Sequence, residues 1–181
     1  MERESCPGCG LELERIEWPS HPYIGASAPC WALYGEVLAR EYGDPEWGRV
    51  HQMTVDTYAV QHPGDPERRS IRSVALHLIT LCLMLEDRAD PHTGPKLHQR
   101  LAGRSFRWLP PPCPNGRLTV ADVLEARSAL DHVRLVEAWA RDVWAAWSPH
   151  HATVREWIRL ERGEGDRETS RSDQRSLRRR R

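Results

Sequence analysis

HQMTVDTYAVQHP, residues 51–63, decides the fold. It follows Asp44-Pro45-Glu46-Trp47, where an acidic N-cap, a proline in the first turn and a second acid announce a helix. Trp47, His51, Val55, Tyr58 and His62 then recur at spacings of three and four, so they line one face. The pattern predicts a helix over 45–61. Pro63 closes it by pushing the preceding residue out of the α region. His62 is thereby left at a frayed end, where its side chain can turn toward a ligand. His51 and His62 stand about 16 Å apart along the axis, so one ion cannot take both. Asp56 points away from His51, on the side of Met53 and Val60.

Toward the N-terminus, residues 29–42 (PCWALYGEVLAREY) read as a helix with Pro29 in its first turn and Tyr34, Val37 and Leu38 facing inward. Gly43-Asp44 is a short turn, which predicts an antiparallel hairpin of the two helices. Toward the C-terminus, PGDPERRS leads to Ser70, the expected N-cap of a helix over 71–86. Its apolar run, Val74 to Leu85, is twelve residues long and interrupted by His77 and Thr80. That is too short to span a bilayer and reads as a buried central helix. Residues 87–118 form a long connection with a short helix near Lys96–Leu101. Thr119-Val-Ala-Asp122 resembles a capping box and opens a long helix to Trp147, with Leu130, Val133, Val136, Val143 and Trp147 on one face. Ser148-Pro149 stops it and starts a last helix, His150 to Leu160. No strand and no fixed-period repeat is evident. The expectation is an all-α, single-domain helical bundle over 29–162, an irregular N-terminal segment over 1–28 shaped like a zinc knuckle, and a disordered arginine-rich tail over 163–181.

Charge bounds the partners. The chain has 181 residues, with 26 basic and 26 acidic ones. The tail 163–181 holds seven arginines and four acids, so it is +3 and the body −3. Such a body argues against an extended nucleic-acid surface. RSLRRRR at the end could touch nucleic acid or acidic lipid weakly; a solvated tail is the simpler reading. No membrane association is expected. Five cysteines, two of them in a tight CPGCG turn and no signal peptide ahead of them, predict reduced or metal-bound thiols and a cytoplasmic protein.

Cys6-x-x-Cys9 is half of a zinc site: the spacing points both thiolates into one tetrahedral shell, and the glycines let the backbone wrap it. Cys30 is the best third ligand, in a helix's first turn where the dipole favours thiolate. In the hairpin, position 30 lies opposite about position 57, at the same end as His62. Cys6, Cys9, Cys30 and His62 are therefore the expected Cys₃His zinc ligands. Cys113 is a weaker rival for the fourth position, and Cys82 reads as plain core.

A second constellation is open. His51, Asp56 and His77, with His132 as a further candidate, could form a nitrogen–oxygen metal site with an open position for water. Polar groups also gather where the end of 45–61 meets the apolar helix and the tryptophan-rich helix, which makes Tyr58, Gln61 and His132 candidate ligand-binding residues there. His150-His151 reads as a helix-start pair.

CPGCG, YIGASAPCWALYGEVLAREY, HQMTVDTYAVQHPG, SVALHL and WARDVWAAWSPHH, in that order, resemble an uncharacterised bacterial family of actinobacterial type, a domain of unknown function. The motifs GASxxCW and HxxTVDxYxxQHP carry most of the likeness, which spans roughly residues 5–160. The resemblance implies a bacterial cytosolic protein and brings no reaction, cofactor or partner. Two function classes follow from the residues. The first is a zinc-stabilised module that binds a partner protein or small molecule. The second is a small metal-dependent hydrolase or transferase using His51, Asp56 and His77. No P-loop, G-x-S-x-G elbow, H-E-x-x-H or dinucleotide fingerprint is present, which favours the module.

Overall fold

The computed structural model describes residues 2–19 and 21–162; the expected arginine-rich tail lies outside them. Among the described residues the fold is carried by helices: α1 (Ala28–Gly43), α2 (His51–Gln61), α3 (Arg68–Glu86), α4 (Gly94–Leu101), α5 (Val120–Leu124), α6 (Ala129–Ala146) and α7 (151–162). Two short strands, β1 (Arg3–Ser5) and β2 (Glu12–Glu14), pair antiparallel with Arg3 opposite Glu14.

Those strands correct the expectation that the chain has no strand; most of the N-terminal segment is irregular, as expected. Each strand is three residues long, too short for a period of two to be read. CPGCG is the turn between them: Cys6 N–H donates to the Leu11 carbonyl at 2.9 Å and Gly10 N–H to that of Cys6 at 2.8 Å. Gly10 takes φ +75°, which a side chain would resist.

α1 starts where Ser27 caps it, its hydroxyl accepting from Cys30 N–H. α1 and α2 form the expected antiparallel pair, and three levels record it. Cys30 meets His62, Tyr34 stacks on Tyr58 with ring centroids 3.9 Å apart, and Glu41 reaches His51 and Thr54. The connection differs from the expected two-residue turn. Trp47–Val50 is a 3₁₀ turn, and α-helical bonding begins only at His51. The start signal is real, since Asp44 accepts from Glu46 N–H at 2.8 Å, but Gly48 is pressed against the Glu41 carbonyl and the first turn stays tight.

α3 is the central helix, with Val74, Leu78, Ile79, Leu81 and Cys82 buried. Ser70 is not its cap. The Asp65-Pro66 turn delivers Glu67 extended, so the helix begins at Arg68 and Ser70 is buried inside its first turn. The capping box at Thr119 and Asp122 forms as read, but the long helix breaks after Leu124. Ser128 caps a new start by accepting from Asp131 N–H, while Asp131 accepts from Arg127 N–H. The break turns Leu130 outward, 73% exposed, against the expectation that it faces the core. Trp139, Val143 and Trp147 of α6 and its end are fully buried. Among the described residues no helix is long and apolar enough to cross a membrane.

Candidate metal centre

The N-terminal hairpin lies over the open end of the α1–α2 pair, and four side chains meet there. Cys6 and Cys9 come from the turn, Cys30 from the first turn of α1, and His62 from the residue after α2. Their ligand atoms all lie within 4.8 Å of one another. Cys9 Sγ and Cys30 Sγ are 3.8 Å apart, and Cys30 Sγ and His62 Nε2 are 3.4 Å apart. A tetrahedral ion with metal–sulfur bonds of about 2.3 Å requires sulfurs about 3.8 Å apart and a sulfur–nitrogen spacing of about 3.5 Å. The set fits that shell and could hold a metal ion.

Neighbouring groups fix the ligands. His62 Nδ1–H donates to the Tyr58 carbonyl at 2.8 Å, which leaves the Nε2 lone pair facing the sulfurs. Ser27 N–H donates to Cys6 Sγ at 3.5 Å, and the Tyr58 hydroxyl donates to Cys30 Sγ at 3.6 Å. Tyr58 stacks on the His62 ring and holds its plane. Gly8 makes the approach possible: a side chain there would run into His62 Cδ2 and the Gln61 carbonyl. Pro63 acts as the sequence suggests, but the frayed end is fixed in place. The Ile24–Pro63 bridge and the bond from Gly25 N–H to the His62 carbonyl hold His62 fully buried.

The thiols crowd one another. Cys30 is pushed far above the ordinary thiol range, first by its contacts with Cys6 and Cys9 and then by burial. Cys6 is held far below that range, first by the Cys30 contact and next by Cys9, against the opposing effect of burial. For Cys9 the lowering contact with Cys30 is outweighed by Cys6 and by burial, and it is raised to about 11. Three such groups do not ionise together without a cation among them.

The other expected site residues divide. His51 does not join Asp56 and His77. Its Nδ1 sits 2.7 Å from Glu41 Oε2, while His132 Nε2 lies 2.8 Å from Glu41 Oε1 and Thr54 donates to that same oxygen at 2.5 Å. Glu41, fully buried in its side chain, was not anticipated because its inward face reads as an exposed acid near a helix end. Asp56 does meet His77, Oδ1 to Nδ1 at 2.6 Å, and a residue the sequence reading missed, His98 of α4, completes that group. Nothing short of the docking of α4 on α3 would have found it. Gln61 is structural: its amide donates to the Asn115 and Leu118 carbonyls, and its oxygen accepts from the Trp139 indole at 3.0 Å. Tyr58 lines a cleft with His21, Trp31 and His77, while Gln61 and His132 are fully buried. Cys113 is exposed and Cys82 buried in α3, both away from the thiolate cluster.

A family model described as a family of unknown function, DUF5946, matches residues 4–148. The chain belongs to that family. Its match takes in the hairpin from Glu4 onward, α1 to α6 and all four residues of the cysteine–histidine cluster. No curated protein and no solved structure matches the chain.

Proposed function

We propose that this DUF5946 protein is a zinc-stapled helical module that binds a partner protein or small ligand and does no chemistry at its thiolate metal. The supporting observation is the closed, four-ligand character of the Cys6, Cys9, Cys30 and His62 cluster. Structural zinc sites use such complete shells, whereas catalytic ones keep a position for water. The three thiolates favour zinc over magnesium or calcium. The zinc joins the N-terminal segment, 1–28, to the bundle, 29–162, across a hairpin too short to be stable alone. The test is elemental analysis of protein purified without chelator. About one tightly held zinc per chain is expected, lost in Cys6→Ser and Cys30→Ser; protein that folds fully without any metal overturns the reading.

A second reading, a small metal-dependent hydrolase or transferase, has one observation in its favour. His77, paired with the buried Asp56, lines an open cleft, with 17% of its side chain exposed. His51 has no part in it. Turnover of simple ester or phosphoester substrates that disappears in His77→Ala would support this reading, and no turnover above buffer by the wild type would remove it.

A further inference from the structure

We infer that Asp56, His77 and His98 form a second metal site, for a first-row divalent transition ion, separate from the thiolate cluster. The three residues come from α2, α3 and α4, and their ligand atoms lie within 4.8 Å of one another. Two imidazoles and a carboxylate are a donor set for zinc, iron, manganese or nickel, and not for magnesium or calcium.

The carboxylate carries the argument. Asp56 is fully buried, and its Oδ1 is already engaged: Gln52 Nε2 donates to it at 2.8 Å and His77 Nδ1 lies 2.6 Å away. Its Oδ2 has no hydrogen-bond partner among the described residues. An unpartnered oxygen on a fully buried carboxylate is costly, and a cation shared with the two imidazoles that approach Oδ1 would offset that cost by neutralising the group. His98 Nε2 lies 3.9 Å from Asp56 Oδ1 and 3.1 Å from the Thr80 hydroxyl, a contact that an ion taking this nitrogen would replace. Closing the three groups on an ion with bonds of about 2.1 Å needs side-chain movements of about 1 Å.

Access is provided. His77 and His98 line an open cleft of about 630 Å³ with Tyr23, Arg69 and Arg72 on its walls. An ion held by three protein ligands there keeps its remaining positions on the cleft side, for water or a ligand. The site deepens the hydrolase reading, but the ion's binding is read directly and does not depend on catalysis.

The experiment loads full-length, as-purified protein with excess Co²⁺, removes unbound metal by gel filtration, and records metal content and the visible spectrum. The wild type is expected to gain about one further equivalent, with no added thiolate charge-transfer band, since its donors are nitrogen and oxygen. His77→Ala and His98→Ala should each weaken that equivalent about tenfold or more, with circular dichroism and the thiolate-bound metal unchanged. Both positions are partly exposed, so the variants keep the fold where Asp56→Asn could lose it. No added equivalent in the wild type, or its full retention in both histidine variants, overturns the site. Loss of the thiolate-bound metal alone would instead sink the zinc staple, and an ion bound without turnover would sink only the hydrolase reading.

Discussion

His62 Nε2 faces Cys30 Sγ at 3.4 Å, and the same ring's Nδ1 is held by the Tyr58 carbonyl at 2.8 Å. The two residues are thirty-two positions apart and meet because α1 and α2 run antiparallel, so the start of one helix lies at the end of the other. The hairpin from Arg3 to Glu14 covers that end and brings two more sulfurs. An ion bound there would close the N-terminal segment in the same event. A structural ion held at a thousand times its dissociation constant adds about 4 kcal/mol to stability. For a chain of this size, that corresponds to a melting point roughly 8–16 °C higher. Cys30→Ser, which removes a ligand and little volume, should therefore lose the zinc and melt lower by about that interval. Differential scanning calorimetry with and without chelator checks it; the chelator should lower the wild type and leave the variant where it is.

Gly8→Ala probes the same closure without touching a ligand. The added methyl would meet the His62 ring and the Gln61 carbonyl, and backbone does not yield as a flexible side chain does. Overpacking of this kind costs about 1–3 kcal/mol. Zinc should leave Gly8→Ala faster than the wild type in a chromophoric chelator assay, while the helix content stays the same. Equal release rates would show that the knuckle does not need the close approach.

Much of this was legible in the sequence, and for identifiable reasons. The meeting of Cys30 and His62 followed from a hairpin register, and a register is set by turn position and helical rise, both readable from Asp44, Pro45 and Pro63. The group around Asp56 was half legible. His77 lies on the next helix in sequence, but His98 belongs to a short helix beyond a long connection, whose docking no local pattern encodes. His51 stands apart from Asp56 and His77, as the helical phase of α2 separates it from Asp56, but that phase does not name what comes to meet its face. Glu41 came, from α1. The break before Ser128 was missed although Ser128-Ala-Leu-Asp131 is itself a cap signature; it lay inside a periodic run that masked it.

Gln61 and Asn115 supply a prediction independent of metal. Asn115 donates to the Val60 and Gln61 carbonyls and accepts from the Trp147 indole at 2.9 Å, while Gln61 accepts from that of Trp139. Each amide fastens the proline-rich connection and α6 to the end of α2. Truncating either leaves several buried groups unpaired, at about 1–3 kcal/mol for each. Gln61→Ala should lower stability to denaturant by at least about 2 kcal/mol and shift tryptophan emission to the red, as Trp139 loses its fixed partner. A variant with wild-type stability would mean that water replaces the amide without cost.

Glu41 makes the last prediction, on pH. Burial raises its pKa, but the bonds from His132, His51 and Thr54 outweigh burial, and the carboxyl is held below its ordinary value. A folded-state pKa depressed below the unfolded one contributes stability that is fully present above the unfolded value, near pH 4.5, and lost as the pH falls through the folded value. The wild type should therefore lose stability as the pH falls below 4.5, as protons enter a site built for the charged carboxylate. Glu41→Gln keeps the shape but puts an N–H where one of three donors expects an oxygen. It should lose about 1–3 kcal/mol at pH 7 and be less sensitive to acid than the wild type. Melting temperatures of both proteins between pH 3 and pH 8 check this. The two curves should converge at the acid end; parallel curves would show that another carboxylate, and not Glu41, governs acid unfolding.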